Sequence, residues 1–446
     1  MKKPTGIKNG IVVFLLTFII GLFTVSCTVN DKNDKDEVSP PIPIITPKPP
    51  QATPEPQPEK PELPTSEPTP APVPEPPEPT PAPEPPEPTQ PPEEVPTPPQ
   101  PEVSIDVKIG QMLIVGFRGL SVNDKSSIVR DIKRLYLGGV ILFDYDMVKK
   151  SWRRNIRSPR QVKKLVDKLQ TASQIPLFIA IDQEGGQVQR LKRKFGFPRT
   201  VSAQYLGRKN NLDLTYQKAA EIAKTLASVG INFNLAPVVD LNTNPNNPVI
   251  GKLKRSFSAN PAIVTNHALE FIKAHHEYNV ICALKHFPGH GSSTRDSHLG
   301  MVDVTNTWKE IELDPYSEII NAGMADAIMI AHVFNRYYDQ NYPATLSKHI
   351  VGGVLRAGLG YDGVIVSDDM QMKAITSHYR FEDAIQTTLE AGIDIIVIGN
   401  NLKYEKNIAA RTVAVIKQLI EDGEIREERI DESYRRIQKL KSRFRP

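Results

Sequence analysis

The segment KHFPGHGSSTRDSH, residues 285–298, sets three histidines, a lysine, an arginine and an aspartate between two apolar runs. Three readings fit such a set. Metal binding would draw on His286, His290, His298 and Asp296 as nitrogen and oxygen ligands. Proton transfer would use Asp296-Ser297-His298, where a carboxylate two residues from an imidazole can orient the ring and stabilise its cation near neutral pH. A solvated polar loop would need neither. Residues elsewhere separate the three. A metal-dependent barrel hydrolase needs a His-x-His pair at its first strand, and the corresponding run here ends VGFRG; no metal and no organic cofactor is therefore expected. An acyl-transfer triad would lack its G-x-S-x-G elbow. What accompanies the dyad is a carboxylate, Asp368 in GVIVSDDM, with Asp369 as its local competitor. One group that attacks an anomeric carbon and another that protonates the departing oxygen are the two halves of retaining glycoside hydrolysis. The second is usually a carboxylic acid, so a His-Asp pair in that place is a departure.

These residues need a scaffold that brings them together. From Val103 onward, short β-branched runs alternate with longer amphipathic segments: MLIVGF (112–117), GGVILF (138–143), PLFIAID (176–182), INFNLAPVVD (231–240), VICALKH (280–286), DAIMIAH (326–332), GVIVSDD (363–369) and IDIIVIG (393–399). Continuous apolar runs of this length are what parallel strands covered by helices require. Ser158-Pro159 and Asn260-Pro261 read as helix starts, Gly230 and Gly392 as helix stops. Eight strands alternating with helices predict a (β/α)8 TIM-type barrel over residues 103–446, a single catalytic domain. In that barrel the active site lies at the C-terminal ends of the strands. The runs end in Asp182, Asp240, Lys285 with His286, His332, Asp368 with Asp369, and Asn400, so polar groups recur where a site would be built.

The rest of the chain is different material. Residues 1–27 have a basic start, the apolar run IVVFLLTFIIGLF and the ending TVSC, the form of an export signal with a lipobox-like end; lipidation is expected at Cys27. Residues 28–102 form a Pro/Glu-rich linker, and 29 of the chain's 41 prolines fall between Pro40 and Pro101. Such a composition cannot bury enough apolar surface to fold and favours an extended, disordered tether. At ~3.1 Å per residue it would reach on the order of 190 Å from an anchor. The signal carries +3 and the linker −11, which leaves +12 on residues 103–446 of a chain whose net charge is +4. A basic domain suits an anionic cell-wall polymer. Nucleic acid is not expected, because no basic run is interleaved with aromatics. Cys282, the only cysteine besides Cys27, lies in the apolar run NVICAL and reads as a small buried hydrophobe.

Six segments, IDQEGGQVQR, NFNLAPVVD, KHFPGHGSSTRDSH, MIAHV, PATLS and VSDDMQM, closely resemble in this order the bacterial β-N-acetylglucosaminidases of glycoside hydrolase family 3, the NagZ-like branch. The resemblance covers about residues 105–440. It implies that Asp368 is the nucleophile and that His298, oriented by Asp296, is the acid/base. It also implies that Asp182, Arg190, Arg255, Lys285 and His286 hold the sugar hydroxyls. Two departures stand out: Gln187 replaces an arginine common in the family, and IGKLKRSF carries extra residues before Arg255. The implied activity is removal of terminal β-linked N-acetylglucosamine from peptidoglycan fragments or chito-oligosaccharides, by an exported, lipid-anchored monomer on a bacterial membrane. Two rivals are a β-N-acetylglucosaminide phosphorylase, favoured by an uncharged base that repels phosphate less, and a noncatalytic wall-binding lipoprotein. His290 is expected to pack the loop.

Overall fold

The structure is a computed structural model that describes residues 103–443. The export signal with Cys27 and the proline-rich linker lie outside the described residues. From Val103 the apolar runs form eight parallel strands, buried along their whole length: β1 Leu113–Gly116, β2 Gly139–Ile141, β3 Phe178–Ile181, β4 Phe233–Asn234, β5 Ile281–Phe287, β6 Ala327–Ile330, β7 Val364–Ser367 and β8 Ile396–Ile398. They make one sheet in the order β7-β6-β5-β4-β3-β2-β1-β8. The sheet returns on itself: Val366 bridges Ile395 in parallel, the Ser367 amide donates to the Ile395 carbonyl (2.9 Å), and the Ile395 amide donates to the Ile365 carbonyl (2.9 Å). The predicted barrel is thus the observed one.

Local sequence chemistry accounts for the outer layer. Ser158 accepts a hydrogen bond from the Gln161 amide at the start of helix Pro159–Ala172, and Asn260 accepts from Ala262 and Ile263 at the start of Pro261–His276, each with proline in the first turn. Gly392 (φ 107°) ends helix Phe381–Ala391, and Gly230 (φ 78°) follows helix Leu212–Ser228. The run INFNLAPVVD is regular strand only at Phe233–Asn234; the Leu235 amide still donates to the Ile181 carbonyl (2.8 Å), and Pro237 beyond it has no amide to donate. Contact with β5 continues past Asn234: the Ala236 and Pro237 carbonyls accept from the Ala283 (3.1 Å) and Lys285 (3.3 Å) amides, and Val238 bridges Lys285 next to the site. At the opposite end of the barrel the buried Lys441 ammonium donates to Gln111 Oε1 (2.8 Å), the Gly138 carbonyl (3.0 Å) and the Pro176 carbonyl (2.6 Å). Cys282 is buried, as expected of a hydrophobe.

Candidate active site

At the mouth of the barrel the side chains form two groups. The first is an alternating chain of buried charges. Asp182 follows β3 directly, and the hairpin Gln183–Gly185/Val188–Gln189 brings Arg190 back beside it, Nη2 to Oδ2 at 2.9 Å. The hairpin needs its Gly-Gly turn: Gly186 has φ 61°, and a Cβ there would lie 2.6 Å from Ser202 Cβ. Gln183 Oε1 locks the return by accepting from the Arg190 and Leu191 amides. Across the mouth, Lys285 Nζ lies 2.9 Å from Asp182 Oδ1 and 2.8 Å from Glu184 Oε1, and Arg255 grips Glu184 through Nε (2.8 Å) and Nη2 (2.7 Å). The extra residues before Arg255 fold into their own turn, with the Lys252 amide on the Asn247 carbonyl and the Arg255 amide on the Ile250 carbonyl, so Arg255 still reaches the site. Gln187 sits exposed at the hairpin tip, away from this ion network.

Arg255 Nη2 also approaches His286 Nε2 at 3.2 Å, while His286 Nδ1 lies 2.6 Å from Asp240 Oδ2. Because the guanidinium can only donate, the network assigns Nε2 as acceptor and Nδ1–H as donor to Asp240. Burial alone would raise the carboxyls of Asp182 and Glu184. Lys285 and Arg190 overcome it for Asp182, holding it well below the usual range, and Arg255 and Lys285 hold Glu184 at about 2. Burial would likewise lower the Lys285 ammonium, but Asp182 and Glu184 leave it raised. Asp182, Glu184 and Lys285 are therefore charged at neutral pH.

The second group faces this chain. Asp368 ends β7, half-buried, with its Oδ1 accepting from the Asp369 amide at 2.7 Å. Burial would raise it, but the imidazoles of His332, His286 and His298 outweigh burial and hold it below its ordinary value. Asp369 is engaged otherwise: Oδ1 accepts from the Gly399 (2.9 Å) and Gln371 (3.0 Å) amides, and burial pushes the carboxyl up to about 6. Beyond the β5 loop, His298 Nδ1 lies 2.8 Å from Asp296 Oδ1, and the His298 amide donates to the same oxygen. The hydrogen bond to Asp296 raises the His298 pKa, against the effect of burial, and Asp368 adds to the rise. With Nδ1 committed to Asp296, Nε2 is the nitrogen able to exchange a proton with a bound molecule.

All eight expected site residues therefore surround one mouth. His290 packs the loop as anticipated: Nδ1 meets Ser293 Oγ at 2.7 Å, Nε2 meets Ser297 Oγ at 3.1 Å, its amide donates to Asp240, and burial lowers it to about 4. The sequence reading assigned no part to three further residues. Glu184 is the hub between Lys285 and Arg255, Asp240 holds His286 and the His290 amide, and buried His332 bonds Thr345 Oγ1 (2.8 Å) and the Asp369 carbonyl (3.0 Å). The Thr345 contact joins MIAHV to PATLS, two segments whose recurrence had no chemical explanation in sequence. Adjacency in the motifs was their only signal.

The assembled site can be set beside known proteins. Residues 104–440 match the family model described as "Glycosyl hydrolase family 3 N terminal domain". Beta-hexosaminidase A of Pseudoalteromonas piscicida is 37% identical over 338 residues, covering 70% of this chain and 54% of that protein. The beta-hexosaminidase of Tolumonas auensis is 37% identical over 268 residues, covering 59% of this chain and 76% of that protein. Among solved structures, a family 3 β-N-acetylglucosaminidase from Paenibacillus sp. superposes with a TM-score of 0.70 at 35% identity, covering 77% of this chain and 63% of that one. The β-N-acetylhexosaminidase from Beutenbergia cavernae gives 0.68 at 27%, covering 76% and 99%. The chain thus spans little more than half of the first of these relatives and nearly all of the last. A family model that runs through every strand of the barrel and every residue of its mouth leaves one conclusion: this chain belongs to glycosyl hydrolase family 3.

Proposed function

We propose that the protein is a retaining exo-β-N-acetylhexosaminidase that releases terminal β-linked N-acetylglucosamine from peptidoglycan fragments or chito-oligosaccharides. The observation that carries the reading is the pairing of an Asp368 just after β7, held below its ordinary pKa and in no ion pair among the described residues, with a His298 whose Nδ1 is committed to Asp296. The interlocked charges of Asp182, Arg190, Lys285 and Arg255, with His286, supply fixed donors and acceptors for sugar hydroxyls.

In the first step an Asp368 oxygen attacks the anomeric carbon, the bond to the leaving oxygen breaks, and that oxygen takes the proton from His298 Nε2. In the second, water attacks the anomeric carbon and gives its proton to His298, and the bond to Asp368 breaks with net retention. Asp296 stabilises the imidazolium at the start and end of the cycle. Turnover of an aryl N-acetyl-β-glucosaminide with the β-anomer as first product supports this reading. Sugar 1-phosphate formed in phosphate buffer would replace it with phosphorolysis, and no turnover would leave a noncatalytic binding protein. Export and anchoring through lipidated Cys27 complete the proposal. Loss of the protein from the membrane fraction on Cys27→Ser supports that part, and retention counts against it.

A further inference from the structure

Beneath the β5 loop lies a carboxyl that the two-step reaction does not use. Glu312, in the short turn Glu310–Leu313 ahead of helix Asp314–Asn321, is 1% exposed. Neither of its oxygens meets a hydrogen-bond partner in good geometry among the described residues, nor do the buried Ser292 and Tyr316 hydroxyls, although Ser292 and the Gly291 and Lys309 amides lie near enough to favour the ionised form. The loop rests directly on it: a Cβ at Gly289 (φ 132°) would lie 2.6 Å from Glu312 Oε2 and 2.9 Å from its Cβ. Trp308 Nε1 donates to the Pro288 carbonyl (3.0 Å) and ties the same segment to the loop.

The groups facing Glu312 are few. The β5 loop offers Ser292 and the Gly291 amide, the β4 loop the Asp240 carboxylate, the residue before its own turn the Lys309 amide, and the helix that follows Tyr316. Among the described residues no ion pair reaches it. An ionised, unpaired carboxylate so enclosed is strongly disfavoured; burial first, and Asp240 after it, push Glu312 up to about 7. From Ser292 the chain of contacts continues to the acid/base: Ser293 bonds His290, His290 bonds Ser297, and Ser297 stands between Asp296 and His298.

We propose that Glu312 is a positioning residue for the Asp296–His298 loop, acting as an uncharged carboxylic acid that gives its one O–H to the Ser292 oxygen and keeps a second negative charge away from Asp240. The proposal rests on the reading of His298 as acid/base. Above neutral pH the proton leaves, Glu312 and Asp240 repel each other, and the loop loses its underside support.

Two variants separate charge from donor: Glu312→Gln stays neutral and keeps an N–H donor, and Glu312→Leu stays neutral without one. The full chain would be assayed on an aryl N-acetyl-β-glucosaminide, with the His298 ring titrated by NMR in each protein. Glu312→Gln is expected within about threefold of wild type in kcat/KM near pH ~6, and its advantage over wild type should grow about threefold or more by pH ~8.5. Glu312→Leu is expected to lose roughly tenfold in kcat with KM within about twofold at either pH. The His298 midpoint should hold in Gln and fall in Leu. Superimposable pH profiles for Gln and wild type, or Leu behaving as Gln, would overturn the proposal. If wild type shows no turnover, the glycosidase reading fails by itself, and an unmoved His298 midpoint in Leu then rejects the positioning role. If Leu does not fold, the Gln-to-wild-type ratio decides.

Discussion

The two sides of the barrel mouth are built on opposite plans. On one, Lys285, Glu184 and Arg255 have side-chain exposures of 2%, 5% and 10%, and with Asp182 (18%) these charges alternate in sign through bonds of 2.7–2.9 Å. On the other, Asp296 and His298 are 28% and 53% exposed, and each has the other as its ion-pair partner. Buried, fully paired charges are expensive to assemble but do not reorganise when a ligand arrives, which suits groups that must recognise fixed hydroxyls. A proton donor has the contrary need, since it must reach a leaving oxygen and later a water. On the proposed function, the difference would match rigidity to recognition and exposure to proton transfer, with Asp368 between them.

That contrast can be broken in several places. Asp368→Asn should lower kcat by roughly 10³-fold or more with little change in stability, because the residue acts with His298 as a unit and holds only one amide. Lys285→Met should be the most damaging change to the fold, costing about 3–5 kcal/mol in urea unfolding, since it strips a cation from two buried carboxylates. His298→Ala should do the reverse, lowering kcat by about 10²–10³-fold while leaving stability within about 0.5 kcal/mol. Asp296→Asn gives the smallest effect, read in the pH profile. The raised His298 pKa keeps the acid form to higher pH, so the alkaline limb of kcat/KM should lie above that of a free histidine and move down in the variant.

Acid titration sharpens the same comparison. Glu184 is lowered from 4.5 to about 2, so the stability it contributes is present above pH 4.5 and is lost as pH falls towards about 2. His298 is raised, so its contribution is present below the free-histidine pKa and is lost as pH rises through the folded value. Unfolding across pH should therefore show the buried side losing stability in acid, and only a shallow change in alkali from the exposed His298–Asp296 pair.

Much of this was legible in the chain because it depends on local signals. Apolar runs, Ser-Pro and Asn-Pro starts and glycine stops are each read over a few residues, and they gave the barrel and its helices. The residues of the mouth followed from their positions at strand ends and from ordered motifs. What stayed hidden depends on pairings across the fold. Glu184 is a hub only because Arg255, 71 residues on, folds back to it, and Asp240 becomes a clamp only where β5 places His286 against it. Glu312 lies outside every quoted motif, and its burial under Gly289 is a property of packing. The ladder in INFNLAPVVD was overread because apolar character does not reveal which amides find partners, and Pro237 has none to offer.

Asp368 and Asp369 are neighbours with opposite environments, one held below its ordinary pKa and one bound to two backbone amides and pushed up to about 6. Trapping the covalent intermediate with a fluorinated N-acetylglucosamine analogue, followed by peptide mass spectrometry, tests the account where it is most exposed. The predicted result is a glycosyl label on Asp368. A label on Asp369, or turnover of substrate with no labelled aspartate, would contradict it.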